Sequence, residues 1–103
     1  MAKQFVQGDV MFTRLARKPL RVGKKALADN GRYVIARGEK SGHMHTIDAN
    51  AATLLGSNVV VVHSPAAVTH NEHDPLELQP GIYRVYQQRE YNYDEPARFS
   101  YGD

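Results

Sequence analysis

The sequence contains no cysteine and no long hydrophobic run, and each absence removes a class of function. Without thiols, the chain can form no disulfide, no thiolate metal site and no cysteine nucleophile. The longest uninterrupted apolar run, Val59–Val62, is far too short for a membrane-spanning helix, which needs about 20 residues. Residues 1–4 lack the hydrophobic stretch of a signal peptide. We therefore expect a cytoplasmic protein that does not enter a membrane.

Two common catalytic patterns are also missing. No serine lies in the Gly-x-Ser-x-Gly context of a nucleophile elbow, which argues against that class of hydrolase. The glycine-bounded stretch at residues 38–42 lacks the Gly-Lys-Ser order of a phosphate-binding loop. The sequence therefore predicts no catalytic residue, and enzymatic activity is left open.

Histidine, in contrast, is concentrated in one part of the chain. All five histidines fall between positions 43 and 73, as a His-x-His pair (His43 and His45), a His-x-x-His pair (His70 and His73) and the single His63. Imidazole is the commonest metal ligand in proteins and the softest strong ligand available without cysteine. The crowding predicts a metal site, although it names no reaction.

The spacing within each pair decides whether its rings can meet. Residues two apart on a strand point to the same face, about 6.5–7 Å apart, so His43 and His45 can bind one ion while Met44 turns into the core. A spacing of three does not suit a strand, but a turn at residues 71–75 would let the second pair converge. We predict that both pairs share one divalent transition metal ion, through His43, His45, His70 and His73.

The ligand set does not select the metal, because Zn, Fe, Mn, Ni and Cu all accept imidazole nitrogen. Glu72 and Asp74 are further ligands or partners that would fix a ring tautomer. Four nitrogens around a tetrahedral ion would close the site, whereas three would leave a position for activated water or a substrate anion. The alternative is that the histidines serve turns and hydrogen bonds at strand ends, and His63 fits this alternative best.

The net charge of +2 conceals an asymmetry along the chain. The first forty residues hold ten basic and three acidic side chains, and the remainder holds three basic and eight acidic ones. A basic segment at residues 14–25 suits an anionic partner, but it has no aromatic residue to stack on bases. We therefore favour an exposed, mobile, solvating loop, with a protein partner or a second copy of the chain as alternatives and nucleic acid as a less favoured one. Its basic residues are Arg14, Arg17, Lys18, Arg21, Lys24 and Lys25.

Short β-branched and aromatic stretches separated by turn signals predict an all-β fold. Residues 29–31 are a strong turn signal, Val59–Val62 reads as a buried strand, and residues 50–55 satisfy either a helical turn or a short strand. We predict a small single-domain antiparallel β-barrel or sandwich over residues 1–91, cupin-like and SH3-like barrels included. Residues 92–103 form an aromatic C-terminal tail that we expect to dock on a surface.

Motifs over nearly the whole chain resemble a small family of uncharacterised bacterial and phage proteins. They are Gln7-Gly8-Asp9-Val10, Gly38-Glu39, Gly42-His43-Met44-His45, Thr69-His70-Asn71-Glu72-His73-Asp74-Pro75, Pro80-Gly81-Ile82-Tyr83-Arg84-Val85 and Gln88-Arg89-Glu90-Tyr91. This resemblance implies a shared fold and a shared site. The alternative to metal binding is a non-enzymatic interaction module encoded by a phage or mobile element. More weakly, Gly38 followed by His43 and His45 is similar to the first cupin motif, which implies a cupin-like metal geometry completed by His70 and His73.

Overall fold

The computed structural model describes residues 3–38, 42–89 and 98–101, and within these ranges every regular element is a β-strand. No helix long and apolar enough to cross a membrane occurs in this part of the chain. The strands are β1 (Gln4–Gln7), β2 (Val10–Leu15), β3 (Arg32–Arg37), β4 (Met44–Asp48), β5 (Ala52–Leu55), β6 (Val59–Val62), β7 (Ala66–Thr69), β8 (Leu76–Leu78), β9 (Gly81–Arg89) and β10 (Arg98–Tyr101).

The strands form two antiparallel sheets. Sheet one has the order β1-β2-β9-β6-β5, with β10 paired to the far half of β9, and sheet two has the order β3-β4-β7-β8. The described strands do not close into a barrel, so the all-β antiparallel prediction is confirmed and the arrangement is sandwich-like. Residues 50–55, whose sequence suited either a helical turn or a short strand, contain strand β5.

The core lies between the inner faces of the two sheets. Side chains alternate along each strand, so that Val10 and Phe12 of β2 are fully buried, as is Ile47 of β4. Tyr83 is also fully buried, and its hydroxyl donates to the carbonyl of Gln79 at 2.7 Å. A buried tyrosine hydroxyl with a partner avoids the cost of an unsatisfied polar group.

Two tight turns follow from local sequence. Gly8 occupies the first central position of the two-residue turn between β1 and β2 with φ of +59°, as type II′ turns require. Asn30 and Gly31 both have positive φ, and the flanking Asp29 and Arg32 exchange two backbone hydrogen bonds, which is the type I′ pattern favoured by Asn-Gly. The turn predicted at residues 29–31 is present.

The basic segment is exposed, but it is not one continuous loop. Arg14 lies within β2, and the end of the segment runs beside β5, where Gly56 donates to the carbonyl of Lys24 at 2.7 Å and Lys25 forms a bridge with Leu55. The side chains of Arg14, Arg17, Lys18, Arg21, Lys24 and Lys25 are all exposed. The expectation of a free loop is therefore wrong for its two ends, because backbone pairing holds them to sheet one.

The predicted C-terminal tail falls largely outside the described residues. Of residues 92–103, the structure describes the backbone of β10, which pairs antiparallel with β9 in the register Arg98 to Arg89 and Tyr101 to Tyr86. Strand β10 is therefore part of sheet one.

Candidate functional site

Three parts of the chain meet at one end of the sandwich: the turn between β1 and β2, the start of β4, and the connection from β7 to β8. The register of β4 against β7 pairs Thr46 with Thr69 and Ile47 with Val68. Continuing this antiparallel register by one residue places His45 opposite His70, and their ring centres lie 4.3 Å apart. Strand pairing thus brings the two histidine pairs together across a gap of about 25 residues of sequence.

All four predicted histidines lie in one group, which we call the histidine cluster (His43, His45, His70 and His73). His70 is central, with ring-centre distances of 5.6 Å to His43 and 4.5 Å to His73. The rings of His45 and His73 lie 6.5 Å apart. His63 is elsewhere, in the bend directly after β6, where its Nε2 lies 3.0 Å from the hydroxyl of Thr53 in β5.

His45 is buried in the cluster and its two ring nitrogens face two different side chains. Its Nδ1 lies 2.8 Å from Gln7 Oε1, and its Nε2 lies 3.0 Å from Asp9 Oδ1. The Gln7 amide nitrogen donates to the carbonyls of Val68 at 2.7 Å and Asp74 at 2.9 Å. This fixes the orientation of the amide, since the flipped form would face oxygen to oxygen, so Gln7 Oε1 accepts and His45 Nδ1 donates.

The pair formed by His45 and Asp9 then lacks a positive charge. Burial lowers the pKa of His45, which favours a neutral ring with a single N–H. Partial burial raises the pKa of Asp9, but the hydrogen bond that Gln87 donates, with smaller contributions from its surroundings, outweighs burial and holds that pKa below its usual value. Because the neutral ring donates its one N–H to Gln7 Oε1, the lone pair on His45 Nε2 faces the Asp9 carboxylate at 3.0 Å. A proton or a metal cation between the two atoms would satisfy both.

The remaining rings show two kinds of hydrogen bonding. Glu72 Oε1 lies 2.9 Å from His43 Nδ1, so the carboxylate accepts from that nitrogen. His70 Nδ1 instead accepts the backbone N–H of Glu72 at 3.0 Å. Burial, together with the charge of His73, lowers the pKa of His70. To bind a cation through Nε2, His70 must lose the hydrogen bond from the Glu72 backbone N–H and carry its own proton on Nδ1.

Within the described ranges, no three His, Asp or Glu side chains are already arranged as a complete metal-binding group. The histidine rings are close together without forming such a group. One nitrogen each of His43, His45 and His70 is instead hydrogen-bonded to a protein partner. Of the two carboxylates suggested by the sequence, Glu72 contacts His43 as described. Asp74 takes part through its backbone carbonyl, which accepts from Gln7.

The expected direction of Met44 is wrong. The buried positions of β4 are His45 and Ile47, and Met44 is only partly buried, with its sulfur 3.1 Å from Arg37 Nη1. The reason is the phase of the strand: His45 shares its face with Ile47, so its neighbour Met44 points away from the core.

Sequence reasoning missed the contribution of the β1–β2 turn. Gln7 and Asp9 hold the ring of His45, and Gly8 lies against His73, where an added Cβ would be 2.5 Å from Nε2. The available signal was a carboxylate at the tip of a two-residue hairpin in the Gln-Gly-Asp sequence. Because glycine followed by aspartate also satisfies ordinary turn preferences, the pattern alone indicated only a bend.

Comparison with known proteins identifies the domain. A family model described as a domain of unknown function, DUF8820, matches residues 6–88. The chain belongs to the DUF8820 family. The DUF8820 match includes the β1–β2 turn and the whole histidine cluster, which agrees with the resemblance to an uncharacterised small family. Neither a curated protein nor a solved structure matches the chain.

Proposed function

We propose that this DUF8820 domain binds a divalent transition metal ion through the histidine cluster. The observation that carries the proposal is the convergence of four rings, two of which have their Nδ1–H held by an acceptor. Glu72 accepts from Nδ1 of His43 and Gln7 accepts from Nδ1 of His45, so Nε2 of each ring points away from that acceptor. Metal-binding histidines are usually oriented in this way by a hydrogen bond on the other ring nitrogen.

The chemistry of the cluster suits Zn, Fe, Mn, Ni or Cu in the divalent state. Its neutral imidazoles are the form that binds metal, and the lowered pKa values of His45 and His70 favour that form near neutral pH. The cupin-like sharing of one ion by a His-x-His pair and a second histidine pair is part of this proposal. An ion with an open position would act as a Lewis acid or activate water, and one with a closed shell would stabilise the fold.

The test is elemental analysis of untagged protein, followed by thermal unfolding with and without added metal. If metal binds only the folded state, a free concentration 100-fold above Kd stabilises it by about 2.7 kcal/mol, which raises Tm by roughly 10–20 °C for a domain of this size. His73→Ala should remove most of this shift. The matched control is His63→Ala, because both side chains are exposed but only His73 belongs to the cluster. A wild-type Tm that no added metal changes would contradict the proposal.

A second candidate function is binding of an anionic partner by the basic segment. Leu20 and Leu27 are 105% and 95% exposed, and no acidic residue lies between residues 15 and 28. Large apolar side chains exposed among cations favour a partner that offers both acidic and apolar surface. Such a partner is a protein or a second copy of this chain, as a phage or mobile-element interaction module would need. Nucleic acid is the less favoured partner.

The test for the second candidate combines sedimentation of the protein with titrations of single- and double-stranded DNA at several salt concentrations. We expect no DNA binding even at low salt, where electrostatic affinity is greatest. Self-association that Leu20→Ser and Leu27→Ser abolish would identify a second copy as the partner. Steeply salt-dependent DNA binding would instead assign the segment to nucleic acid.

A further inference from the structure

Asp9 lies next to Nε2 of His45, the ring nitrogen on the side opposite the contact with Gln7. Asp9 Oδ2 accepts from Gln87 Nε2 at 3.0 Å, and the same amide donates to the carbonyl of Arg37 at 2.8 Å, so Gln87 holds the carboxylate in place. Asp9 Oδ1 is then directed at His45 Nε2, 3.0 Å away. Protonated His45 would donate to this oxygen, whereas a metal ion placed between the two atoms would bind both.

We propose that Asp9 is a ligand of the same ion as His45, His70 and His73, so that the site is a mixed imidazole–carboxylate site with more than four coordination positions. This inference rests on the proposed metal binding and names the ligand that the histidine pattern did not supply. Gln7 and Gly8 are positioning residues in it, because Gln7 orients the ring of His45 and Gly8 makes room for that of His73.

The separation of the two acceptor atoms agrees with a shared ion. Metal–nitrogen and metal–oxygen bonds of about 2.0–2.2 Å place neighbouring ligand atoms about 2.9–3.1 Å apart around an octahedral ion, and about 3.3–3.5 Å apart around a tetrahedral one. The observed 3.0 Å between Asp9 Oδ1 and His45 Nε2 matches the octahedral value.

The ring spacing points to the same coordination. With metal–nitrogen bonds of about 2.05 Å, imidazole centres lie about 3.2 Å from the ion, hence about 4.5 Å apart when adjacent and about 6.4 Å apart when opposite in an octahedron. A tetrahedron would give about 5.2 Å for every pair. The observed distances are 4.3 Å for His45–His70, 4.5 Å for His70–His73 and 6.5 Å for His45–His73. The ring spacing therefore agrees better with octahedral than with tetrahedral coordination, with His70 adjacent to the other two rings once it releases the Glu72 N–H.

Four such ligands leave two positions on a six-coordinate ion. His43 lies at the edge of the cluster, 5.6 Å from His70 between ring centres, with its side chain 31% exposed. One of the two positions is on the side of the cluster where His43 lies, and water or an oxygen-donor ligand would fill a position that stays open. The carboxylate also shifts the preference toward harder ions such as Mn, Fe and Ni rather than soft Cu(I).

The experiment compares Asp9→Asn with Asp74→Asn in titrations of metal-free protein with Co²⁺ and Mn²⁺ alone. Loss of the carboxylate ligand should weaken binding by about 100-fold, the upper end of the range for perturbing a metal site. Asp74→Asn should bind like the wild type, because Asp74 contributes only its backbone carbonyl to the contact with Gln7. The Co²⁺ complex of the wild type should show the weak visible absorption of a five- or six-coordinate ion.

Thermal unfolding of the metal-free proteins at pH 8 separates a ligand from a structural partner. In the Asp9→Asn variant, the amide can donate to His45 Nε2 while its oxygen still accepts from Gln87, so Tm should be equal to or above that of the wild type. A purely structural hydrogen bond would predict a lower Tm and unchanged metal affinity.

Each result has a distinct meaning. Wild-type protein that binds neither ion overturns the proposed function, and this inference with it. Wild-type binding that Asp9→Asn leaves unchanged, or an intense tetrahedral Co²⁺ spectrum, overturns the inference and leaves metal binding by the histidines standing. Weakened binding in Asp9→Asn, normal binding in Asp74→Asn and an undiminished metal-free Tm together support it.

Discussion

Replacing Gly8 with alanine should weaken metal binding through a steric effect on a single ring. An added Cβ would lie 2.5 Å from His73 Nε2 and 2.6 Å from Cδ2, whereas ordinary contact begins at 3.4 Å. The ring must therefore retreat by about 0.9 Å, and metal–ligand distances tolerate only about 0.2 Å. Loss of His73 from the site should weaken binding by roughly 10- to 100-fold, which corresponds to about 1.4–2.8 kcal/mol.

Gly31→Ala is the control for positive φ, because it places a Cβ at a left-handed backbone position without the contact. Gly8 and Gly31 have φ of +59° and +78°, and a Cβ at Gly31 meets nothing within 4 Å. Alanine in the left-handed helical region costs roughly 1–2 kcal/mol, so both variants should lose Tm, by roughly 4–8 °C for each kcal/mol. Calorimetric titration with the metal found in the wild type, performed below both Tm values, then isolates the steric effect. Equal metal affinity in the two variants would refute the reasoning.

Two further predictions concern the metal-free protein. Gln7→Ala should destabilise the fold by about 2–4 kcal/mol in urea unfolding, because it leaves the Val68 and Asp74 carbonyls and His45 Nδ1 without their partner. The control is Gln4→Ala on the same strand, which should cost under about 0.5 kcal/mol because Gln4 is exposed. A loss below 1 kcal/mol at Gln7 would argue against its bridging role. The free energy of unfolding should fall as pH drops below about 6.5. Burial holds the folded-state pKa of His45 and of His70 below the unfolded value. The unfolded chain therefore takes up protons first, and acid favours it. Stability that stayed level or rose between pH 6.5 and pH 5 would contradict this sign.

The local sequence pattern was sufficient to predict where the strands lie, because β-branched and aromatic stretches are bounded by residues that favour turns. The stretch of β-branched and aromatic residues before Gly38 became β3, and the valine run became β6. Residues 50–55 were ambiguous because alanine and leucine suit either structure, and pairing of Ala52 with Val62 decided for a strand. The architecture required knowing which strands share a sheet, and this depends on contacts distant in sequence.

The candidate site divides in the same way. Histidine is rare enough that two close pairs indicate a shared role, and the turn at residues 71–75 explained how the second pair could converge. The position of Asp9 was beyond local reasoning, because a hairpin in sheet one reaches His45 in sheet two only through the packing of the two sheets. The phase of β4 was also set by packing, since Met44 and His45 were both acceptable as its buried residue.

The Gln7 amide holds the N-terminal hairpin to the opposite sheet by side-chain hydrogen bonds rather than by a strand ladder. Local opening of the hairpin would release the Val68 and Asp74 carbonyls and the ring of His45 in one step. Under the proposed metal binding, occupancy of the cluster and closure of the hairpin are thermodynamically linked, and whatever favours one favours the other. Since β2 runs beside β9 along six residue pairs, the hairpin also connects the cluster to the centre of sheet one.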